Sequence, residues 1–243
     1  NTLVMILCVG SREEGRPYCS RVCCAQAIKN ALKLKDMNPE IEIYVLYRDM
    51  RTYGLKEDYY REAAEKGVKF IRYDGDSKPE VELVRENDHD ILRVSVIDPV
   101  LDQQLALDAD VLALGIAVVP AADNMELSQL LKVPLNEDGF FLEAHMKLRP
   151  VDFASDGIFM CGLAHGPKFI EESVTQAEAA ACRAATILTQ VKILAGGTVC
   201  YIDEDRCSGY GICQAACPYE AITIDKQRRV ARVNEAICRG CGT

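Results

Sequence analysis

The sequence predicts an α/β fold followed by a small, truncated α+β module, on three observations. Up to about residue 195, strand-like and helix-like runs alternate, the pattern of a parallel sheet with crossover helices. The stretch Ala195-Gly196-Gly197-Thr198 then reads as a linker. Beyond it the composition turns sharply to cysteine, which defines a compact second unit. The expected domains are therefore 1–195 and 196–243, within the size range of one medium domain with an appendage.

The elements follow in order. Leu3–Val9, Ile41–Tyr47 and Val68–Tyr73 are strand candidates; the second is apolar at odd and even positions, as a strand buried on both faces should be. Between the first two, about Ser20 to Lys35, the residues Val22, Ile28, Ala31, Leu32 and Lys35 sort into an apolar and a polar helical face. A second helix, Lys56 to Lys66, stops at Gly67. Val81–Val84 and Ile91–Asp98, joined by residues 85–90, predict an antiparallel hairpin, an insertion common in two-domain flavoprotein folds. A buried strand Val111–Leu114, a helix near Asn124–Leu131 and short strands at Phe140–Leu142 and Ile158–Cys161 come next. An alanine-rich helix from about Glu171 to Leu194 closes the first unit; Ala177, Ala180, Ala181 and Ala184 suit close packing on the sheet.

Composition excludes some functions. A net charge of −9 lacks the basic clusters that neutralise nucleic-acid phosphates. No run of about 18 apolar residues is present to span a bilayer. The start at Asn1, without Met and already inside a strand, reads as the start of a fragment.

Twelve cysteines carry the chemistry. An apolar content of 49% is too high for a small disulfide scaffold, and the C-x-x-C units with a trailing Cys-Pro favour metal. Cys8 ends the first strand, and Cys19, Cys23 and Cys24 cluster at the start of the next helix, with 19 and 23 on one face. Both places lie at the carboxyl edge of a parallel sheet, where α/β folds put ligands. The competing reading is a set of buried thiols. Cys161, Cys182 and Cys200 read as core or incidental thiols.

These residues resemble a family. Cys8-Val9-Gly10-Ser11-Arg12, Pro17-Tyr18-Cys19-Ser20-Arg21-Val22-Cys23-Cys24, Tyr47–Gly54, Asp138–His145, Leu148–Asp152 and Gly162–Lys168 are similar to the iron–sulfur A subunit of heterodisulfide reductase. The resemblance covers essentially the whole chain. It implies a partial, thioredoxin-reductase-like two-domain flavoprotein core binding FAD, with Cys8, Cys19, Cys23 and Cys24 ligating a [4Fe–4S] cluster.

A G-x-G-x-x-G turn is absent, since Gly10 and Gly15 enclose Ser-Arg-Glu-Glu, so the first FAD-binding half is expected upstream. The second half is expected here. Gly115 lies in the strand–glycine turn near the cofactor, and Gly162, His165, Gly166, Pro167 and Lys168 lead into the long helix. That helix N-terminus would stabilise negative charge on the ring by about 0.3–2 kcal/mol, and Lys168 or His165 would add charge there. Related flavoproteins carry Gly-Asp where this chain has Gly162-Leu163; the family resembled shares the Leu.

The tail reads Cys207-Ser208-Gly209-Tyr210-Gly211-Ile212-Cys213-Gln214-Ala215-Ala216-Cys217-Pro218 and resumes at Cys238-Arg239-Gly240-Cys241. This is the two-cluster ferredoxin spacing, with Tyr210 at the second cysteine position. One cluster would draw on Cys217, Cys238 and Cys241, the other on Cys207 and Cys213. With Tyr210 the latter becomes [3Fe–4S] or is lost, because a phenolate replaces thiolate poorly. Ala221–Ile224 and Val230–Val233 suit the small β-ribbon between such repeats. A structural zinc site is the rival.

The expected function is electron transfer, as one oxidoreductase component of a heterodisulfide-reductase-like complex in the cytoplasm of an anaerobe. It would pass electrons between FAD and [4Fe–4S] clusters, with flavin-based bifurcation as one implied property. Its partners would be disulfide-reducing subunits, hydrogenase- or formate-dehydrogenase-linked subunits, and ferredoxin. No substrate-cleaving residue is assigned. The alternatives are a homologous component of a quinone-interacting oxidoreductase or benzoyl-CoA reductase complex, and an iron–sulfur relay without flavin.

Overall fold

A computed structural model describes residues 1–86, 89–191 and 198–242. The hairpin tip Asn87-Asp88, the far end of the expected long helix, Ala195-Gly196-Gly197 of the linker and Thr243 lie outside these.

Four parallel strands form the central sheet in the order β3-β2-β1-β7: β1 is Thr2–Val9, β2 Glu42–Tyr47, β3 Lys69–Arg72 and β7 Val111–Ile116. Two helices cover one face, α1 (Cys23–Met37) and α2 (Lys56–Glu65). The buried stripe of α1 is Cys24, Ala27, Ile28, Ala31 and Leu32, a 3-4 spacing that points one face at Leu3, Met5 and Leu7 of β1 and Ile43 and Val45 of β2. The other face of β1 and β2, through Val4, Ile6 and Leu46, packs on a three-stranded antiparallel sheet, β4 (Glu80–Glu86), β5 (His89–Asp98) and β6 (Gln103–Ala109). The sheet is thus sandwiched, which explains why its inner strands are continuously apolar.

After β7 come α3 (Asn124–Leu131) and a loop-rich region with its own small core of Val133, Phe141, Phe153 and Met160. Then follow a 3-10 turn at Gly162–Ala164, α4 (Ile170–Leu188), α5 (Ile212–Ala216) and the antiparallel pair β8 (Ile222–Asp225) and β9 (Val230–Val233).

Four expectations are corrected. The hairpin has a third strand, β6, whose alternating Leu105, Leu107 and Ala109 turn toward the core. Phe140–Leu142 and Ile158–Cys161 are not strands; each contributes a single bridge, Leu135 to Phe141 and Asp152 to Phe159. β7 is an edge strand, with Val111, Leu114 and Ile116 exposed rather than buried. Finally, the alanine face of α4 does not pack on the sheet: none of its 19 residues is buried.

Candidate functional site

The first cysteine block is built by a break in β1. The pairing of β1 with β7 shifts register between Ile6 and Val9, and Cys8 within that break is left-handed at φ 63°. Arg12 and Arg21 of the following loop are also left-handed, at φ 59° and 60°. Such conformations cost about 1–3 kcal/mol each in non-glycine residues and concentrate at functional sites. The loop is tied down by Tyr18, whose hydroxyl donates to the Val118 carbonyl at 3.0 Å, and by buried Ser20, whose hydroxyl accepts the Val118 N–H at 2.9 Å. The loop after β7 is therefore the platform on which the block rests.

The four thiols meet there. Cys8, Cys19 and Cys23 are half-buried and Cys24 is buried. Helix α1 begins at Cys23, so Cys19 stands in the loop before it rather than one turn back on the same helical face. The Arg21 N–H donates to Cys19 Sγ at 3.2 Å, and the Cys24 thiol donates to the Asp49 carbonyl at 3.7 Å. Desolvation, then the mutual repulsion of Cys24, Cys8 and Cys19, pushes the Cys23 thiol up to about 11. In cluster-free protein Cys23 should therefore alkylate much more slowly at pH 8 than exposed Cys182, read by mass spectrometry.

Arginine is the residue type that reasoning from spacing passed over. Arg12 Nη2 pairs with Asp49 at 2.6 Å and lies beside Cys8, while its Nη1 is buried and has no hydrogen-bond partner among the described residues. A buried guanidinium N–H aimed at a thiol corner fits an anionic, thiolate-held group there. Arg21 joins this corner to α4: its guanidinium donates to the Pro167 carbonyl at 3.2 Å and to Glu172 at 2.6 Å.

The segment Gly162–Lys168 is shaped by three side chains. Gln176 of α4 accepts the Gly162 N–H through Oε1 at 3.0 Å, which fixes its amide so that Nε2 donates to His165 Nδ1 at 2.8 Å. His165 Nε2 must then carry the proton and donate to Glu143 at 2.8 Å. Both ring nitrogens are thus engaged within the protein, which corrects the expectation that His165 adds charge toward a flavin. Gln176→Glu should turn Nδ1 into a second donor and raise the His165 protonation midpoint by about one unit or more, read by 15N NMR of histidine-labelled protein. Lys168 donates to the Gly166 carbonyl at 3.2 Å, and burial followed by the Arg21 charge holds its ammonium below the ordinary lysine range. Gly162 and Gly166 have φ of 65° and 148°, and no atom lies within 4 Å of a side chain built at Gly166.

Two further expectations change. A β-carbon at Gly115 would meet Leu7 Cδ2 at 3.0 Å and Cys23 Cβ at 3.3 Å, so the glycine lets β7 pack on β1 and α1 rather than opening toward a ligand. The N-terminus of α4 is already occupied by the Glu172 carboxylate, which accepts the Phe169 N–H at 2.7 Å.

In the tail, Cys207, Cys213, Cys217, Cys238 and Cys241 line one cavity of about 500 Å³. The Ala231 N–H donates to Cys207 Sγ at 3.3 Å and the Ala221 N–H to Cys217 Sγ at 3.4 Å, which ties two of the thiols to the β8–β9 ribbon. Among the described residues, no three His, Cys, Asp or Glu side chains converge on one point as ligands of a single ion. A polynuclear cluster asks for wider spacing, because its thiolates bind separate corners. No helix among the described residues is long and apolar enough to cross a membrane.

No family model matches the chain. It is 41% identical over 238 residues to the A subunit of the H(2):CoB-CoM heterodisulfide,ferredoxin reductase of Methanothermobacter thermautotrophicus, covering 96% of this chain and 35% of that protein. It is 40% identical over 239 residues to the iron–sulfur A subunit of the CoB–CoM heterodisulfide reductase of Methanocaldococcus jannaschii, covering 96% and 36%. The chain thus spans about a third of the length of the curated relatives it matches. Among solved structures, thioredoxin reductase of Lactococcus lactis aligns with 77% of this chain and 52% of its own, at 17% identity and a TM-score of 0.47.

Proposed function

This chain is homologous to one stretch of the A subunit of heterodisulfide reductase, and from that premise we propose that it is an electron-transferring piece of a heterodisulfide-reductase-like oxidoreductase. The observation that carries the reading is the corner where Cys8, Cys19, Cys23 and Cys24 meet under the unpaired N–H of Arg12. We assign those four thiols to a [4Fe–4S] cluster, and Cys207, Cys213, Cys217, Cys238 and Cys241 to ferredoxin-type clusters in a unit spanning 196–243. The segment Gly162–Lys168, at the end of the 1–195 unit, we assign to one side of an FAD site.

When bound, the flavin exchanges two electrons or one, and each cluster one, which lets the site convert between paired and single electrons. The protein residues supply position and charge. Arg12 offers a charge-assisted hydrogen bond toward the cluster corner. Arg21 holds that corner against Pro167, so the two cofactor sites share one rigid contact. Lys168 supplies the positive charge of the flavin segment, and Glu143, His165 and Gln176 keep its turn in place. The whole protein's partners follow by homology: disulfide-reducing subunits, one hydrogenase- or formate-dehydrogenase-linked module, and ferredoxin, in the cytoplasm. Bifurcation belongs to the same proposal.

The test is to purify the full-length protein without oxygen and measure flavin absorbance, iron and acid-labile sulfide. All three are expected. A preparation with neither flavin nor sulfide refutes the reading.

A further inference from the structure

Tyr210 stands at the second cysteine position of the first ferredoxin-type repeat, and the fold does not bring it back as a ligand. It is 84% exposed and takes no part in lining the thiol cavity. A sixth thiol lines that cavity instead, Cys200, which belongs to neither repeat and which the spacing of the motif marks as incidental.

Three observations place it. The Cys200 N–H donates to Cys238 Sγ at 3.3 Å, so the residue sits directly on a ligand candidate. The segment before it is pressed against the second repeat: a β-carbon at Gly240 would collide with the Thr198 carbonyl oxygen, an approach that glycine alone permits. Gly240 is also left-handed at φ 56°. The chain at 198–200 is therefore held beside the Cys238–Cys241 turn by the same residue that shapes that turn. Thiolate is the ligand type that iron–sulfur clusters require, and a backbone N–H on a neighbouring ligand sulfur is the usual surrounding of such a centre.

We propose that Cys200 is a thiolate ligand of the tail's iron–sulfur centre, replacing the ligand that Tyr210 does not provide. The inference rests on the ferredoxin-type reading of the tail. Binding requires that the Cys200 thiol lose its proton to solvent as the Fe–S bond forms; no electron is transferred.

The test compares full-length protein, purified without oxygen, as wild type, Cys200→Ser, Cys200→Ser/Tyr210→Cys, and Cys182→Ser as a control at an exposed thiol outside the cavity. Iron and sulfide are counted, and clusters are typed by EPR and Mössbauer spectroscopy. Cys200→Ser is expected to lose one cluster, about four irons and four sulfides per chain, or to leave it as [3Fe–4S]. Tyr210→Cys in that background is expected to restore it, and the control to keep full content. Unchanged clusters in Cys200→Ser overturn the proposal, and so does a loss that Tyr210→Cys fails to rescue. A wild type lacking any ferredoxin-type signal overturns the reading of the tail itself, which is a separate result.

Discussion

Cys23→Ser is expected to strip the cluster at the sheet edge, lowering iron and sulfide by about four each per chain while leaving the protein folded. The reason for the selectivity is geometric. Cys23 is half-buried at the first position of α1, whereas the buried stripe that anchors the helix runs from Cys24 through Leu32. A serine hydroxyl is nearly isosteric but a much weaker ligand for iron. Arg12 sharpens the result: with the thiolates gone, its buried Nη1 faces a neutral corner, and an unsatisfied buried donor costs about 1–3 kcal/mol. Thermal stability of the variant should fall accordingly, and Cys23→Ser/Arg12→Met should recover part of the loss. Unaltered iron and sulfide in Cys23→Ser would sink the assignment of this block.

Gly115→Val should destabilise the chain by about 1–3 kcal/mol through overpacking, or about 2–4 °C in Tm for each kcal/mol. The added branched side chain would press on the Leu7 side chain and backbone and on Cys23, at the point where β7 crosses β1 and α1. The displaced atoms are core, not the ends of flexible surface chains, so little relaxation is available. The experiment also separates two roles for this glycine. Loss of stability with normal flavin content supports packing. Loss of flavin at unchanged Tm would restore the cofactor-facing role that the strand–glycine pattern suggests.

Much of the fold was legible because burial writes a pattern. The runs Leu3–Val9 and Ile41–Tyr47 are strands sandwiched between helices and a second sheet, and continuous apolar residues are what that position demands. The misses have physical reasons too. β6 carries a period-two alternation, but it begins just after Asp102, whose left-handed φ of 51° makes the turn that loop-like residues 98–102 conceal. Ile158–Cys161 is apolar for a small local core of Val133, Phe141, Phe153 and Met160, not for strand pairing. In the site, cysteine spacing could be read directly because ligation fixes residue type. Arg12, Arg21, Glu143 and Gln176 could not, since each acts through a partner between 14 and 151 positions away or on a thiol corner that exists only once the chain is folded.

The bare helix α4 has one more implication. α1, with 15 residues, is fastened by five buried side chains; α4, with 19, has none. An isolated helix of that length is marginal in water, so its order depends on whatever lies against it. Its amides therefore form a built-in gauge. Hydrogen exchange along Ile170–Leu188, referenced to α1 in the same molecule, would register each contact that covers this helix as protection, and would do so whether or not any electron moves.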